Sequence, residues 1–245
     1  MNAIKVFYEE HGYYGPVRAF EPEELADELR TIFSLTSWPD CRNRHLDVPA
    51  VAKVCTHARV VAVLRAVLGP DLVLWRSNIF AISPASYALP WHQDEYRGLL
   101  AVDDPALHCS AQMNLNDATP GNCVAIVPGS HRWCAEELYR RGYSSPDPHG
   151  APTPVWNVPP GEPSLDVQLE AGEFYVFHPR LLHTSVLRAG TSAAAAPARY
   201  SIALRVATAD TPVLPAAFDG TPTRASCVLL AGRDRGANAL GSWAQ

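Results

Sequence analysis

Three features are missing from the sequence, and each absence argues against a class of protein. The chain contains no run of 18 apolar residues, no C-x-x-C pair and no internal repeat. A transmembrane helix needs about 20 consecutive apolar residues, so we expect no membrane-spanning helix. Structural zinc sites are usually built on closely spaced cysteine pairs, so we do not expect one here. Without repeats, a solenoid or propeller is not expected either.

The chain also lacks a recognisable secretory signal. Residues 1–12 include Glu9 and Glu10 and no apolar segment of the required length. We therefore expect a cytoplasmic protein whose cysteines are reduced thiols, mostly in the core. The six cysteines are Cys41, Cys55, Cys109, Cys123, Cys134 and Cys227.

No strong excess of charge of either sign is present. The net charge is -5, which gives no reason to expect nucleic acid or an anionic membrane as a partner. The 245 residues, of which 47% are hydrophobic and 18% charged, correspond to an ordinary globular protein. The 22 prolines and 15 glycines favour a β fold rich in turns and loops, because both residues interrupt regular elements.

Helical patterns occupy the first third of the chain. Pro22 is followed by two glutamates, which is typical of a first helical turn, and apolar residues then recur at Leu25, Leu29 and Ile32. A second helix is predicted from Thr56, as N-cap, to the helix-ending pair Gly69-Pro70.

Strand patterns dominate after residue 70. The candidates are 72–82, 109–115, 123–127, 166–169, 174–178, 184–187 and 200–207. A Pro- and Gly-rich insert at 134–163 and an Ala-rich loop at 190–197 interrupt the series. Helices followed by about eight short strands predict a mainly β double-stranded β-helix, or jelly roll, with flanking helices. We expect one domain over 1–245, with a helical buttress at 1–70, the jelly roll at 71–210 and a tail at 211–245.

A candidate metal site lies in the stretch Trp91-His92-Gln93-Asp94-Glu95. On extended backbone, His92 and Asp94 point to the same side and can take adjacent positions on one ion. A second histidine would complete the two-His, one-carboxylate triad of non-haem iron oxygenases. We favour His183 at the start of a strand over His178, which precedes a proline. An isolated His-x-Asp also arises by chance, so the rest of the chain must decide.

Other polar residues are candidates for binding small molecules. Arg199 and Arg205 are six apart on one strand, so they share a face, and a guanidinium can grip a carboxylate through two hydrogen bonds. Gln112 shares a strand face with Asn114, although either could be a satisfied core amide. Candidates for substrate contacts are Trp75, Asn78, Glu95, Tyr96, Arg97, Trp133 and Arg205. For the aromatic residues the alternative is core packing, and for the charged ones an ion pair at the surface.

These motifs resemble the phytanoyl-CoA hydroxylase (PhyH) superfamily of Fe(II)- and 2-oxoglutarate-dependent oxygenases. The matching positions are 91–94, 121–123, 128–131, 172–173, 177–178, 183–185 and 199. The N-terminal part, at 12–16, 22–24, 44–47 and 68–76, is similar to the syringomycin-type non-haem iron halogenases, as is the tail at 229–240. Those halogenases carry Ala or Gly where this chain has Asp94.

The resemblance implies a cofactor set and a reaction. His92, Asp94 and His183 would hold Fe(II), Arg199 would pair with the distal carboxylate of 2-oxoglutarate, and O2 would be the oxidant. Gln112 and Ser185 would be further cosubstrate contacts. The retained carboxylate implies hydroxylation of a small substrate, most simply an amino acid that is free or carried on a peptidyl-carrier protein in specialised metabolism.

Several alternatives stay open at this point. The same iron site could support halogenation, desaturation, epimerisation or cyclisation. The chain could also be an inactive jelly-roll binding protein, or a metal hydrolase whose triad activates water. The sequence offers no clear general base for the hydrolase.

Overall fold

A computed structural model describes residues 2–34, 41–83, 89–119, 121–149, 153–187, 198–214, 217–218, 221–222, 227–235 and 237–244. The helices are α1 (Ala3–His11), α2 (Pro22–Ser34), α3 (Pro49–Cys55), α4 (Ala58–Leu68) and α5 (Ala135–Arg140). Short 3-10 turns occur at Arg44–Leu46, Pro105–Leu107 and Ser130–Arg132. None of the helices in these ranges combines the length and the apolar character needed to cross a membrane.

Eleven strands are seen in the same ranges. They are β1 (Tyr13–Arg18), β2 (Leu72–Ile82), β3 (His108–Asn114), β4 (Asn122–Ile126), β5 (Leu165–Val167), β6 (Glu173–Phe177), β7 (His183–Leu187), β8 (Arg199–Thr208), β9 (Ala217–Phe218), β10 (Thr221–Pro222) and β11 (Val228–Ala231). A major sheet has the order β1-β6-β3-β8-β2-β11, and a minor sheet has the order β5-β4-β7. Every strand pair is antiparallel. The predicted jelly-roll core with flanking helices is confirmed.

One face of the major sheet packs against the helices. Alternate residues of its central strands, such as Met113, Val176 and Leu204, join Leu25 and Leu64 of the helices in the largest apolar cluster. Side chains alternate between the two faces of a strand, so every second residue points toward the helices. The helices remove this face from water, and the residues on it are therefore apolar. The helices therefore cover one side of the sheet and leave the other side to the minor sheet.

The opposite, inner face of the major sheet carries polar and charged residues that are nonetheless buried. Ser110 of β3 pairs with Arg205 of β8, and Ile82 of β2 pairs with Arg199. Gln112 lies on the same face of β3, two residues beyond Ser110. Buried charges in a sheet sandwich are costly unless they are paired, so this face is where a functional site is expected.

Each of the seven predicted strands overlaps an observed strand, and one prediction of local structure is corrected. Thr56 is the C-cap of α3, a helix that the sequence reading missed, and α4 begins two residues later at Ala58. Outside the predicted core, residues 1–70 contribute β1 and the tail contributes β11 to the major sheet. The predicted loop at 190–197 lies outside the described residues.

Truncating Leu64 should destabilise the whole fold. Leu64 is fully buried between α4 and the major sheet, and Leu64→Ala leaves a cavity that typically costs about 2–5 kcal/mol. Urea unfolding of the metal-free protein measures the change. Leu240→Ala is the control, because Leu240 is 39% exposed and its truncation should stay within about 0.5 kcal/mol. Equal losses in both variants would contradict the assigned packing.

Candidate metal centre

His92 and Asp94 lie on a segment that runs beside the start of β7. The backbone amide of His92 donates to the His183 carbonyl at 3.0 Å, and the His183 amide donates back at 3.1 Å. Asp94 is held next to them because its amide donates to the Pro179 carbonyl at 2.7 Å. One nitrogen or oxygen of each of His92, Asp94 and His183 lies within 4.8 Å of the others. The structure thus brings together the three residues that the sequence analysis selected.

The imidazole tautomers of both histidines are fixed by backbone carbonyls. Nδ1 of His92 lies 2.7 Å from the Pro90 carbonyl, and Nδ1 of His183 lies 2.9 Å from the Leu181 carbonyl. A carbonyl only accepts, so each Nδ1 carries the proton and each Nε2 keeps its lone pair. The Nε2 atoms lie 3.6 and 3.7 Å from the Asp94 carboxylate oxygens. This donor set fits a divalent transition-metal ion, with the outer-shell bonds that metal-binding histidines usually have.

The charge states of Asp94 and His183 also suit metal binding. Burial raises the pKa of the Asp94 carboxyl, but Arg205 and the two imidazoles outweigh this and lower it to about 2. Burial and the neighbouring His92 lower the pKa of His183 to about 3. At neutral pH the carboxyl is therefore ionised and the imidazole is neutral. These are the forms that coordinate a metal ion.

A buried cation that has no counter-ion among the described residues lines the same cavity. Arg199 is 2% exposed, and its Nη2 donates to Ser185 Oγ at 3.3 Å. Its Nε is buried without a hydrogen-bond partner, and no acidic side chain in the described part of the chain pairs with it. Burial lowers the pKa of the guanidinium from its usual value. A charge buried in this way is costly unless a ligand of opposite charge satisfies it.

The predicted cosubstrate contacts converge on this cavity. Gln112 and Ser185 line it together with His92, His183 and Arg199. The Gln112 amide donates to Ser201 Oγ at 3.3 Å, so it is partly satisfied by the protein. Apolar residues also line the cavity, namely Phe80, Ile82, Leu89, Val124 and Phe177.

Arg205 lies against the carboxylate of Asp94. Its Nη2 lies 3.0 Å from Asp94 Oδ2, and its Nε donates to the Tyr96 hydroxyl. Ser110 Oγ donates to the same carboxylate oxygen at 3.3 Å. The third guanidinium nitrogen, Nη1, is buried without a hydrogen-bond partner among the described residues, and Arg205 lines the same cavity as Arg199. Arg205 thus neutralises and orients Asp94, and its predicted contact with substrate stays a prediction.

Unlike Arg205, three predicted substrate residues do not line the metal cavity. Trp75 and Tyr96 pack edge to face in a buried apolar cluster, with ring centroids 5.1 Å apart. Asn78 accepts a hydrogen bond from Arg76 Nε at 3.0 Å. Both aromatic rings thus lie in the core, and the Tyr96 hydroxyl also accepts the hydrogen bond from Arg205. Asn78 is engaged within its own strand, because residues two apart on a strand share a face.

The remaining three, Glu95, Arg97 and Trp133, line a second cavity of about 160 Å³. This cavity borders Gln93, whose side chain alternates with those of His92 and Asp94. Glu95 is buried and forms ion pairs with Arg97 and, at 3.3 Å, with Arg180. Its carboxylate is thus already engaged by the protein.

The sequence analysis missed two polar residues that support the metal centre. Ser110 bonds to Asp94, and Gln93 is 2% exposed and joins two loops beside the ligands. The role of Gln93 could have been predicted from its position between His92 and Asp94. On extended backbone its side chain must point away from the metal and into the protein. No comparable signal marked Ser110.

The comparisons with known proteins agree with this geometry. The family model described as phytanoyl-CoA dioxygenase (PhyH) matches residues 8–188. A search of curated protein sequences gave no match.

Among solved structures, the fold is similar to several non-haem enzymes. The non-heme monooxygenase ThoJ, in a nickel complex, is 21% identical, with a TM-score of 0.69 over 98% of this chain and 88% of its own. CytC3 with Fe(II) and α-ketoglutarate is 21% identical, with a TM-score of 0.70, and the match covers 98% of this chain and 93% of CytC3. The α-ketoglutarate-dependent carbocyclase SnoK from nogalamycin biosynthesis is 18% identical, with a TM-score of 0.69, and the match covers 91% of this chain and 92% of SnoK. At these identities the matches support the fold, and the similarity to halogenases stays a prediction.

Proposed function

The chain belongs to the phytanoyl-CoA dioxygenase (PhyH) family, and from this premise we propose that it is an Fe(II)- and 2-oxoglutarate-dependent dioxygenase. One observation carries the proposal. Both histidines of a two-His, one-carboxylate set line the same cavity as Arg199, a buried cation that has no acidic partner among the described residues. A metal ion alone does not satisfy that cation, whereas a metal-bound dicarboxylate does.

Each residue of the cavity then has a task. His92, Asp94 and His183 hold Fe(II) through two imidazole nitrogens and one carboxylate oxygen. Arg199 binds the distal carboxylate of 2-oxoglutarate, with Ser185 keeping the guanidinium in place, and Gln112 offers an amide to the same ligand. The apolar walls exclude water, which strengthens these charge interactions. When bound, iron, cosubstrate and O2 supply the oxidising power needed to break an unactivated C–H bond.

For the reaction we propose hydroxylation of a small molecule. The retained Asp94 supports this outcome over halogenation, because the carboxylate fills the position that halogenases leave open. For the substrate class we keep the expectation drawn from the resemblance, an amino acid that is free or attached to a carrier protein. We also propose a cytoplasmic location, a compartment in which the six cysteines would be kept as reduced thiols.

Anaerobic titration tests the proposal. Adding Fe(II) and 2-oxoglutarate to the wild-type protein should produce a weak visible charge-transfer band that neither addition produces alone. Exposure to O2 should then yield succinate, measured by mass spectrometry. Iron binding without the band or succinate would overturn the dioxygenase assignment and favour a binding protein or hydrolase. Chlorinated product that appears only with added chloride would overturn hydroxylation while keeping the iron site.

A further inference from the structure

We propose that Gln93 and Trp156 form a positioning pair that sets the geometry of the metal ligands from outside the cavity. The inference rests on the proposed function, since it concerns the iron site of that function. It assigns to the 134–163 insert a role in metal binding beyond covering the site.

The side chain of Gln93 uses both ends of its amide. Its Nε2 donates to the Arg180 carbonyl at 2.7 Å, and its Oε1 accepts from Trp156 Nε1 at 2.9 Å. Both residues of the pair are almost fully buried, Gln93 at 2% and Trp156 at 3% exposure. The amide satisfies both partners, because the Arg180 carbonyl needs a donor and the Trp156 indole needs an acceptor.

The backbone around Gln93 is joined to the same two loops. The amide of Gln93 donates to the Pro154 carbonyl at 3.0 Å, and the amide of Trp156 donates to the Trp91 carbonyl at 2.9 Å. On the other side, the amide of Asp94 donates to the Pro179 carbonyl. Backbone hydrogen bonds therefore hold the ligand segment on both sides, by the insert on one side and by the loop before β7 and the start of β7 on the other.

This arrangement explains how an outward-pointing residue can affect the metal. His92 and Asp94 can share one ion only if the backbone between them keeps its extended conformation. A rotation at Gln93 would separate the two ligands, and the amide bonds to Arg180 and Trp156 oppose that rotation. Partners of this supporting kind typically change metal affinity by about 10- to 100-fold.

Four variants test the pair: Gln93→Leu, Gln93→Glu, Trp156→Phe and the double variant Gln93→Leu/Trp156→Phe. Gln93→Leu removes both bonds, Gln93→Glu loses the donor to Arg180, and Trp156→Phe loses only the indole donor while keeping a ring in the core. Circular dichroism confirms folding. Fe(II) dissociation constants are measured by chelator competition in the absence of 2-oxoglutarate, and unfolding free energies are measured on the metal-free proteins.

Gln93→Leu should weaken Fe(II) binding by roughly 10-fold and Trp156→Phe by a smaller factor. The double variant should be no weaker than Gln93→Leu, because the two residues share one bond and their effects do not add. Gln93→Glu should fall between wild type and Gln93→Leu.

Asn114→Leu is the matched control. Asn114 is a buried amide that donates to the Leu169 carbonyl at 3.2 Å, about 13 Å along β3 from Ser110. It should lose stability, as the pair variants do, while its Fe(II) affinity stays within about 2-fold of wild type, since a distant site is energetically independent.

Two outcomes separate this inference from the proposed function. If wild type binds Fe(II) and Gln93→Leu binds it equally well, despite a loss of stability, Gln93 is only structural and the inference alone fails. If wild type binds no Fe(II), the proposed function fails and the inference fails with it.

Discussion

Asp94→Ala should weaken Fe(II) binding by more than about 100-fold and should abolish detectable succinate formation. Mutating a residue that only supports a metal ligand typically weakens metal binding by about 10- to 100-fold, and removing the ligand itself should cost more. The same change should destabilise the metal-free protein. Arg205 would keep its buried charge without the carboxylate 3.0 Å away, and removing one partner of a buried ion pair typically costs about 3–5 kcal/mol. Chelator competition and urea unfolding measure the two losses separately.

A second variant separates metal binding from stability. In Asp94→Ala/Arg205→Leu the uncompensated charge is gone, so the unfolding free energy should recover much of its loss while Fe(II) affinity stays low. Wild-type Fe(II) affinity in Asp94→Ala would show that the carboxylate is not a ligand. A double variant as unstable as the single one would contradict the pairing of Asp94 with Arg205.

Arg199→Gln should weaken 2-oxoglutarate binding by at least about 30-fold, the equivalent of the roughly 2 kcal/mol lower bound for truncating one partner of a buried charge pair. The change should leave Fe(II) affinity near wild type, since Arg199 is not one of the three candidate metal ligands and its side chain bonds to Ser185. Stability of the metal-free protein should not fall, because the variant removes a buried charge that has no acidic partner among the described residues. Anaerobic titration of the charge-transfer band gives the dissociation constant.

A cosubstrate analogue without the distal carboxylate is the control for Arg199. 2-Oxopentanoate has the same chelating end as 2-oxoglutarate and carries a methyl group in place of the distal carboxylate. Wild type and Arg199→Gln should therefore bind it with similar affinity. If Arg199→Gln weakens both compounds equally, the guanidinium does not contact the distal carboxylate, and its role in the cavity must be a general one.

The sequence was sufficient for the parts of the site that depend on local periodicity and chain order. The spacing of His92 and Asp94 on extended backbone placed them on one side, and the start of a later strand favoured His183. The structure brings these three residues together. The strand pattern from residue 72 onward gave a jelly roll because alternation of apolar and polar residues is a property of the chain itself.

The partners of charged residues could not be predicted in the same way. The six-residue spacing put Arg199 and Arg205 on one face of β8, and both are indeed there. Nothing in the spacing shows that Asp94, which is 111 positions from Arg205 in the chain, meets one of them and not the other. That choice depends on where the ligand segment crosses the inner face of the sheet, which is decided by tertiary packing.

The insert was underestimated for a related reason. Its many prolines and glycines indicate irregular structure, and most of it is irregular apart from α5. Even so, Val155 forms a β-bridge with His92, and its neighbours bond to Trp91 and Gln93. A single extended residue pair of this kind leaves no repeating pattern in the sequence. Composition therefore identified the loop but not its contact with the ligand segment.

The distribution of the cysteines offers a way to attach a probe. Five of the six thiols are buried, and Cys134 alone is exposed. A thiol-reactive fluorophore should therefore attach at one position of the folded wild-type protein without any prior substitution. Cys134 lies immediately before α5 and lines the 160 Å³ cavity next to Trp133. A dye there would report on the insert by its emission, so that small molecules could be screened for binding before any product is known.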